Sequence, residues 1–175
     1  MKKTVLTFGL ISGAVSAAMM LITIPFADAI GWENGEILGY TTIVLSALLI
    51  FFGVRSYREN AGGGRMTFGR GFAVGILITL ISSACYVGTW ELVYYKLMPG
   101  FAEKYAAHMV EQAKASGASP QKVAETEQKA KQFKVMYNNP LVNVAMTFTE
   151  VFPVGLVITL VSAGLLRKKV RDPEN

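Results

Sequence analysis

The chain runs to 175 residues, 52% of them hydrophobic, with a mean hydropathy of +0.39; that is too apolar for a soluble domain of this length, and the apolar residues fall in blocks divided by charged segments. The formal charge of +5 rests on 17 Lys and Arg, but ten of these sit on one proposed side of the membrane and seven in the one segment from Lys96 to Lys134, a split that follows topology and argues against nucleic acid as a partner. The single cysteine, Cys85, excludes an internal disulfide and a thiolate cluster, and the single histidine, His108, stands among scattered carboxylates, so neither a metal nor a cofactor is expected.

Lys2 and Lys3 precede an apolar run over 5–27. A cleaved signal peptide is the competing reading, with small-residue sites at Ala14-Val15-Ser16 and Ala27-Asp28-Ala29. The run is longer than the ~7–15 residues of a signal core, so a retained first span is expected, leading outward because the two lysines hold its start inside. Residues 28–36 contain Asp28, Glu33 and Glu36 with no Lys or Arg, and read as an outer loop with Trp32 as its interface anchor. A second span, 37–54, returns inward and ends at Arg55 and Arg58. The short basic loop 59–70 that follows contains Gly62-Gly63-Gly64. Its backbone N–H groups could cup a phosphate, but no Gly-Lys-Thr or Gly-Lys-Ser follows and no strand-to-helix context surrounds it, so a flexible turn is expected.

The third span, 68–95, carries Tyr86, Trp90, Tyr94 and Tyr95 at its outer end as an aromatic belt, with Glu91 among them. Residues 99–139 then read as two amphipathic helices outside the membrane. The first, near 101–114, puts Phe101, Tyr105 and Met109 on one stripe. Gly117 suits its C-terminal cap, and Ser119-Pro120 suits the N-cap and first position of the second helix, whose stripe is Val123, Thr126, Ala130, Phe133 and Tyr137. The last span, 141–166, runs into Arg167, Lys168, Lys169 and Arg171.

The fold expected is therefore an all-α integral membrane protein. It has four transmembrane helices, an extracytoplasmic two-helix hairpin between spans three and four, and both termini cytoplasmic. Ten Lys and Arg fall on the inner side and seven in the outer arm. Arg55, Arg58, Arg167, Lys168, Lys169 and Arg171 are placed to meet anionic headgroups, which mainly sets orientation.

The run Phe52-Gly53-Val54-Arg55-Ser56-Tyr57-Arg58, with Gly63-Gly64 and Thr67-Phe68-Gly69-Arg70-Gly71-Phe72, resembles the central block of the domain-of-unknown-function family 4199. Glu150-Val151-Phe152-Pro153-Val154-Gly155-Leu156, with Ser162-Ala163 and Arg167-Lys168, is similar to that family's closing block. The resemblance covers most of the chain and is weakest over 98–140. It implies a small multi-span bacterial membrane protein and carries no catalytic or ligand residue with it; the bacterial inner membrane is the expected location.

Two features of the spans bear on function. Small residues recur every four positions, Gly9, Gly13 and Ala17 on span one, Gly71, Gly75, Thr79 and Ser83 on span three, with Gly155 on span four; such residues let helices approach closely in lipid, either within the bundle or against a second copy. Glu150 is an acid inside the last span, one turn before Pro153, which removes a backbone donor. An in-membrane carboxylate marks an ion or proton path or a pairing partner. Glu91 could share a proton or cation with it, and Thr89 could supply a hydroxyl partner. Lipid is the certain partner of such a chain. The function read from it is that of an accessory protein whose hairpin docks a membrane or periplasmic partner. The alternative is a small oligomeric transporter or channel using Glu150 and Glu91. An enzyme is not expected, for no His pair, Ser-His arrangement or metal-spaced ligands occur.

Overall fold

The computed structural model describes residues 1–168; Lys169 and Arg171 lie outside the described residues. Among those described, every regular element is helical. Helix α1 (Lys2–Thr23) passes through a 3₁₀ turn (Ile24–Phe26) into the short α2 (Ala27–Ile30), and α3 (Trp32–Asn60) follows. Helix α4 (Phe68–Leu92) tightens into a π turn (Val93–Leu97) before α5 (Phe101–Ala115), α6 (Pro120–Tyr137) and α7 (Pro140–Leu166). Four stretches are long and apolar enough to cross a membrane: Lys2–Ile30, Trp32–Asn60, Phe68–Leu97 and Pro140–Leu166. At ~1.5 Å per residue each exceeds a ~30 Å hydrocarbon core.

The outer loop expected over 28–36 is instead helical on both sides of one residue. Gly31 has φ of +74°, and that left-handed backbone alone separates α2 from α3. Two of the three acids that suggested a loop, Asp28 in α2 and Glu33 in α3, are first-turn residues, where the positive end of the helix dipole favours them.

The chain divides into two compact units, residues 1–89 with 148–168, and 90–147. In the first, Val5, Ala47, Ile50, Val54, Val74, Ile78 and Leu166 form an apolar core together with Met66 from the loop after α3. Glycines set the helix spacing. A Cβ at Gly9 would lie 2.8 Å from the Ile81 Cβ, one at Gly13 2.5 Å from the Cys85 Cβ, and one at Gly75 2.7 Å from the Thr159 Cγ2. Gly71 meets Met66 and Ala163, and Gly155 meets Thr79. These glycines therefore bring α1 onto α4 and α4 onto α7 within one copy of the chain. The outer surface is apolar, with Leu165 72% and Ile22 61% exposed.

The glycine turn after α3 is a helix cap. The N–H groups of Ala61 and Gly62 both donate to the Tyr57 carbonyl, that of Gly64 to Arg58, and that of Arg65 to Gly62. Gly63 and Gly64 take φ of +57° and +79°. With those donors engaged, the turn caps α3 instead of presenting its amides to a phosphate. It also delivers Met66, whose carbonyl accepts from the Lys168 N–H at 3.0 Å just beyond α7.

The second unit is larger than the insertion expected over 99–139, because the end of α4 and the start of α7 belong to its core. Tyr94, Ala102 and Tyr137 are buried, with Trp90, Phe101, Phe133 and Met146 packed on them. Helices α5 and α6 run antiparallel: Lys134 meets Glu103 at 3.5 Å and Lys114 meets Glu127 at 3.8 Å. The seam of α5 is Ala102 and Ala106, both buried, with Phe101 and Tyr105 flanking it. Small residues at the seam let the helices close, and the aromatic rings cover its side. The start of α6 is as expected from sequence: Pro120 opens the helix and the Ser119 hydroxyl accepts from the Lys122 N–H at 3.3 Å.

Candidate functional site

Acids are among the costliest residues in a membrane span. Glu150 lies on an exposed face of α7, within electrostatic reach of Glu36 on α3. Among the described residues its carboxylate has no hydrogen-bond or ion-pair partner. Thr89, the hydroxyl suggested for it, donates instead to the carbonyl of Cys85 on its own helix at 2.8 Å. Pro153 is accommodated inside α7. Glu91 belongs to the second unit, half-buried, with its Oε1 shut off from solvent and unpartnered.

The polar interior of the first unit is made of hydroxyls. Ser12, Ser16, Ser46, Thr79, Ser83, Thr159 and Ser162 are all buried. Ser12 on α1 donates to the Ser46 carbonyl on α3 at 2.8 Å, and Thr79 on α4 meets Thr159 on α7 at 3.0 Å, so two cross-helix hydroxyl bonds join the spans in pairs, α1 with α3 and α4 with α7. Their level is set by sequence distance from the basic residue ending each helix: Ser12 is nine residues from Lys3, Ser46 nine from Arg55, Thr79 nine from Arg70 and Thr159 eight from Arg167. At ~1.5 Å per residue that is roughly 12–14 Å, close to the middle of a ~30 Å core. A small cavity opens at this level, with room on the order of one water molecule, lined by Ser12, Ser16, Ser46, Thr79, Ser82 and Ser83 together with Tyr86, Val151 and Gly155.

The second unit has a polar centre of another kind. Asn143 is 0% exposed. Its Oδ1 accepts from the Trp90 indole at 3.1 Å and from the Thr147 hydroxyl at 3.3 Å, while its Nδ2 donates to the Tyr137 carbonyl at 3.3 Å. Beside it the Tyr94 hydroxyl donates to Asn138 Oδ1 at 2.7 Å. The rings of Trp90, Tyr94, Phe101 and Tyr137 pack edge-on or tilted at 5.0–6.3 Å. One amide thus joins the end of α4 to the start of α7. The aromatic belt read from the sequence gives up two of its members, Trp90 and Tyr94, to this core.

Of the basic residues at the helix ends, Arg55 Nε meets Glu59 at 2.9 Å and Arg58 Nη2 meets the same carboxylate at 3.3 Å. Arg58 is mostly buried, and its Nε has no partner. Arg167 and Lys168 are exposed.

Thr79 and Ser83 stand out in the sequence only as members of a small-residue stripe, and neither the hydroxyl cluster as a whole nor Asn143 does. The signal for the first was available in the matched distances from the basic ends. Nothing local points to the second, since Trp90 and Asn143 are 53 residues apart. A family model described as "Protein of unknown function (DUF4199)" matches residues 7–168. No curated protein and no solved structure matches the chain.

Proposed function

The chain belongs to this DUF4199 family, and from that premise we propose that it is an accessory protein of a bacterial inner membrane, with both termini cytoplasmic and α5–α6 on the outer side as the docking surface for a membrane or periplasmic protein. The observation carrying this reading is the self-contained packing of the second unit. Its aromatic residues close on one another, so the outer face of α6 is left as a stiff helical surface. On that face Lys131 and Val135 stand four residues apart, both exposed, Val135 at 75%, with Met136 beside them. Lys114, Lys122 and Lys134 are held by ion pairs within the helix pair; Lys131 has none among the described residues. An exposed aliphatic residue next to a free cation suits a partner with an apolar contact rimmed by acid.

The test is native mass spectrometry of the full-length protein, gently extracted from its own membrane. A second protein at fixed stoichiometry is expected, lost from the Lys131→Glu/Val135→Glu variant while that variant keeps its melting temperature. A homo-oligomer without a second protein, or a partner indifferent to the variant, overturns the reading.

A second reading, a small oligomeric transporter or channel, draws support from Glu91, whose buried Oε1 lacks a partner. It expects Glu91→Gln or Glu150→Gln to abolish cation or proton flux in proteoliposomes with folding intact.

A further inference from the structure

The cavity at the middle of the first unit contains one hydrogen-bond donor without an acceptor and several acceptors without a donor. Ser16 donates to the Gly13 carbonyl at 3.0 Å, Ser82 to the Thr79 carbonyl at 3.1 Å, and Thr79 to the Gly75 carbonyl at 3.0 Å. Ser12 donates across to the Ser46 carbonyl, and Ser46 to the carbonyls of Thr42 and Ile43. A hydroxyl has one proton and two lone pairs. With their protons directed at backbone carbonyls, these side chains line the cavity as acceptors. Ser83 differs. It is 0% exposed, lines the same cavity, and its Oγ has no partner.

An unpaired hydroxyl shut off from solvent is costly. The species that completes this site must accept from Ser83 and donate to its neighbours. A metal ion would satisfy the lone pairs and leave the Ser83 proton unpaired. An anion would take that proton and face a wall of oxygen atoms. We infer that the cavity binds a single water molecule, which accepts from the Ser83 hydroxyl and donates to two of the oxygens of Ser12, Ser46, Thr79 and Ser82. The volume agrees, since there is room for about one water and such a site needs two to four polar partners. The water would link α1, α3 and α4 at mid-depth.

The test is a crystal structure of the full-length protein grown from a lipidic mesophase, at a resolution that shows ordered water. The expected result is a peak roughly 2.7–3.2 Å from Ser83 Oγ and from a second cavity hydroxyl, with no anomalous signal there after a rubidium chloride soak. Ser83→Val, which removes the donor and fills its space with methyl groups, is expected to lose the peak. Should that variant fail to fold, Ser83→Ala removes the donor without added bulk, and its peak is expected to weaken or vanish. A dry cavity with Ser83 turned onto a protein carbonyl, a rubidium signal in the cavity, or a peak at full strength in both variants overturns the inference.

Discussion

The two units of this chain solve the same problem in opposite ways. The first carries its polar groups inside, as serine and threonine hydroxyls, and presents leucine, isoleucine and phenylalanine on its surface. The second puts tyrosine, tryptophan and phenylalanine inside and pairs lysine with glutamate outside. Where the surroundings are lipid, burial of apolar surface gives helices no reason to associate, and close glycine contacts with short hydroxyl bonds supply the adhesion. Where the surroundings are water, burial of aromatic area suffices, and the one interior amide, Asn143, sets which rings meet. The packing of the first unit is what a lipid surrounding favours, and the ion-paired surface of α5 and α6 is what water favours.

The strongest way to break this comparison is to remove the close approach on which the first unit depends. Gly13→Leu would drive a side chain into Cys85, whose Cβ lies 2.5 Å from where the new Cβ must go. Overpacking of this kind costs about 3 kcal/mol or more where backbones are in contact. A large fall in melting temperature in detergent is expected, with the near-UV dichroism of the Trp90 and Tyr94 cluster persisting above that transition. Simultaneous loss of both signals would mean that the two units do not stand separately.

The reciprocal change in the second unit is Asn143→Leu. It leaves the Trp90 N–H and the Tyr137 carbonyl without their partner inside the aromatic core, at a cost on the order of 2–3 kcal/mol. Asn143→Asp keeps the acceptor for Trp90 and, when protonated, an O–H donor for Tyr137, so in its neutral form it should fall between wild type and Asn143→Leu. Indole fluorescence of the Trp90 environment is the readout. An unchanged spectrum in Asn143→Leu would show that the rings set their own arrangement.

Much of the fold was legible because membrane helices announce themselves by length. The cap at Ser119-Pro120, the turn at Gly117 and the spaced glycines were legible for the same reason: each is a local pattern with a local cause. The misreading of 28–36 as a loop shows the limit. Acids without lysine look like a loop, yet Asp28 and Glu33 are helix N-terminal residues, and a single glycine makes the break. The polar interior was harder to see, since a glutamate in a span draws attention while a serine reads as nearly neutral. Glu150 lies on an exposed face, and the buried polar groups are hydroxyls on four different helices, related only through their distances from the basic ends. The Trp90–Asn143 bond joins two residues that no periodicity connects.

The finest test asks whether a bond of the same kind has the same strength in each unit. In the second, Tyr94→Phe removes a hydroxyl that donates to Asn138 at 2.7 Å, and a loss of about 1 kcal/mol is expected. In the first, Thr79→Val and Thr159→Val remove the two partners of a 3.0 Å contact while keeping side-chain shape. Their coupling, measured as a double-mutant cycle in bilayers or bicelles, should be smaller, about 0.6 kcal/mol. The reason lies in the reference state. A threonine in a separated membrane helix still bonds its own backbone, as Thr79 does to the Gly75 carbonyl at 3.0 Å, so little is gained when it meets Thr159 as well. A coupling well above 1 kcal/mol would mean that separated helices leave these hydroxyls unsatisfied. Hydroxyl bonding would then outrank the glycine contacts as the force holding the four spans together.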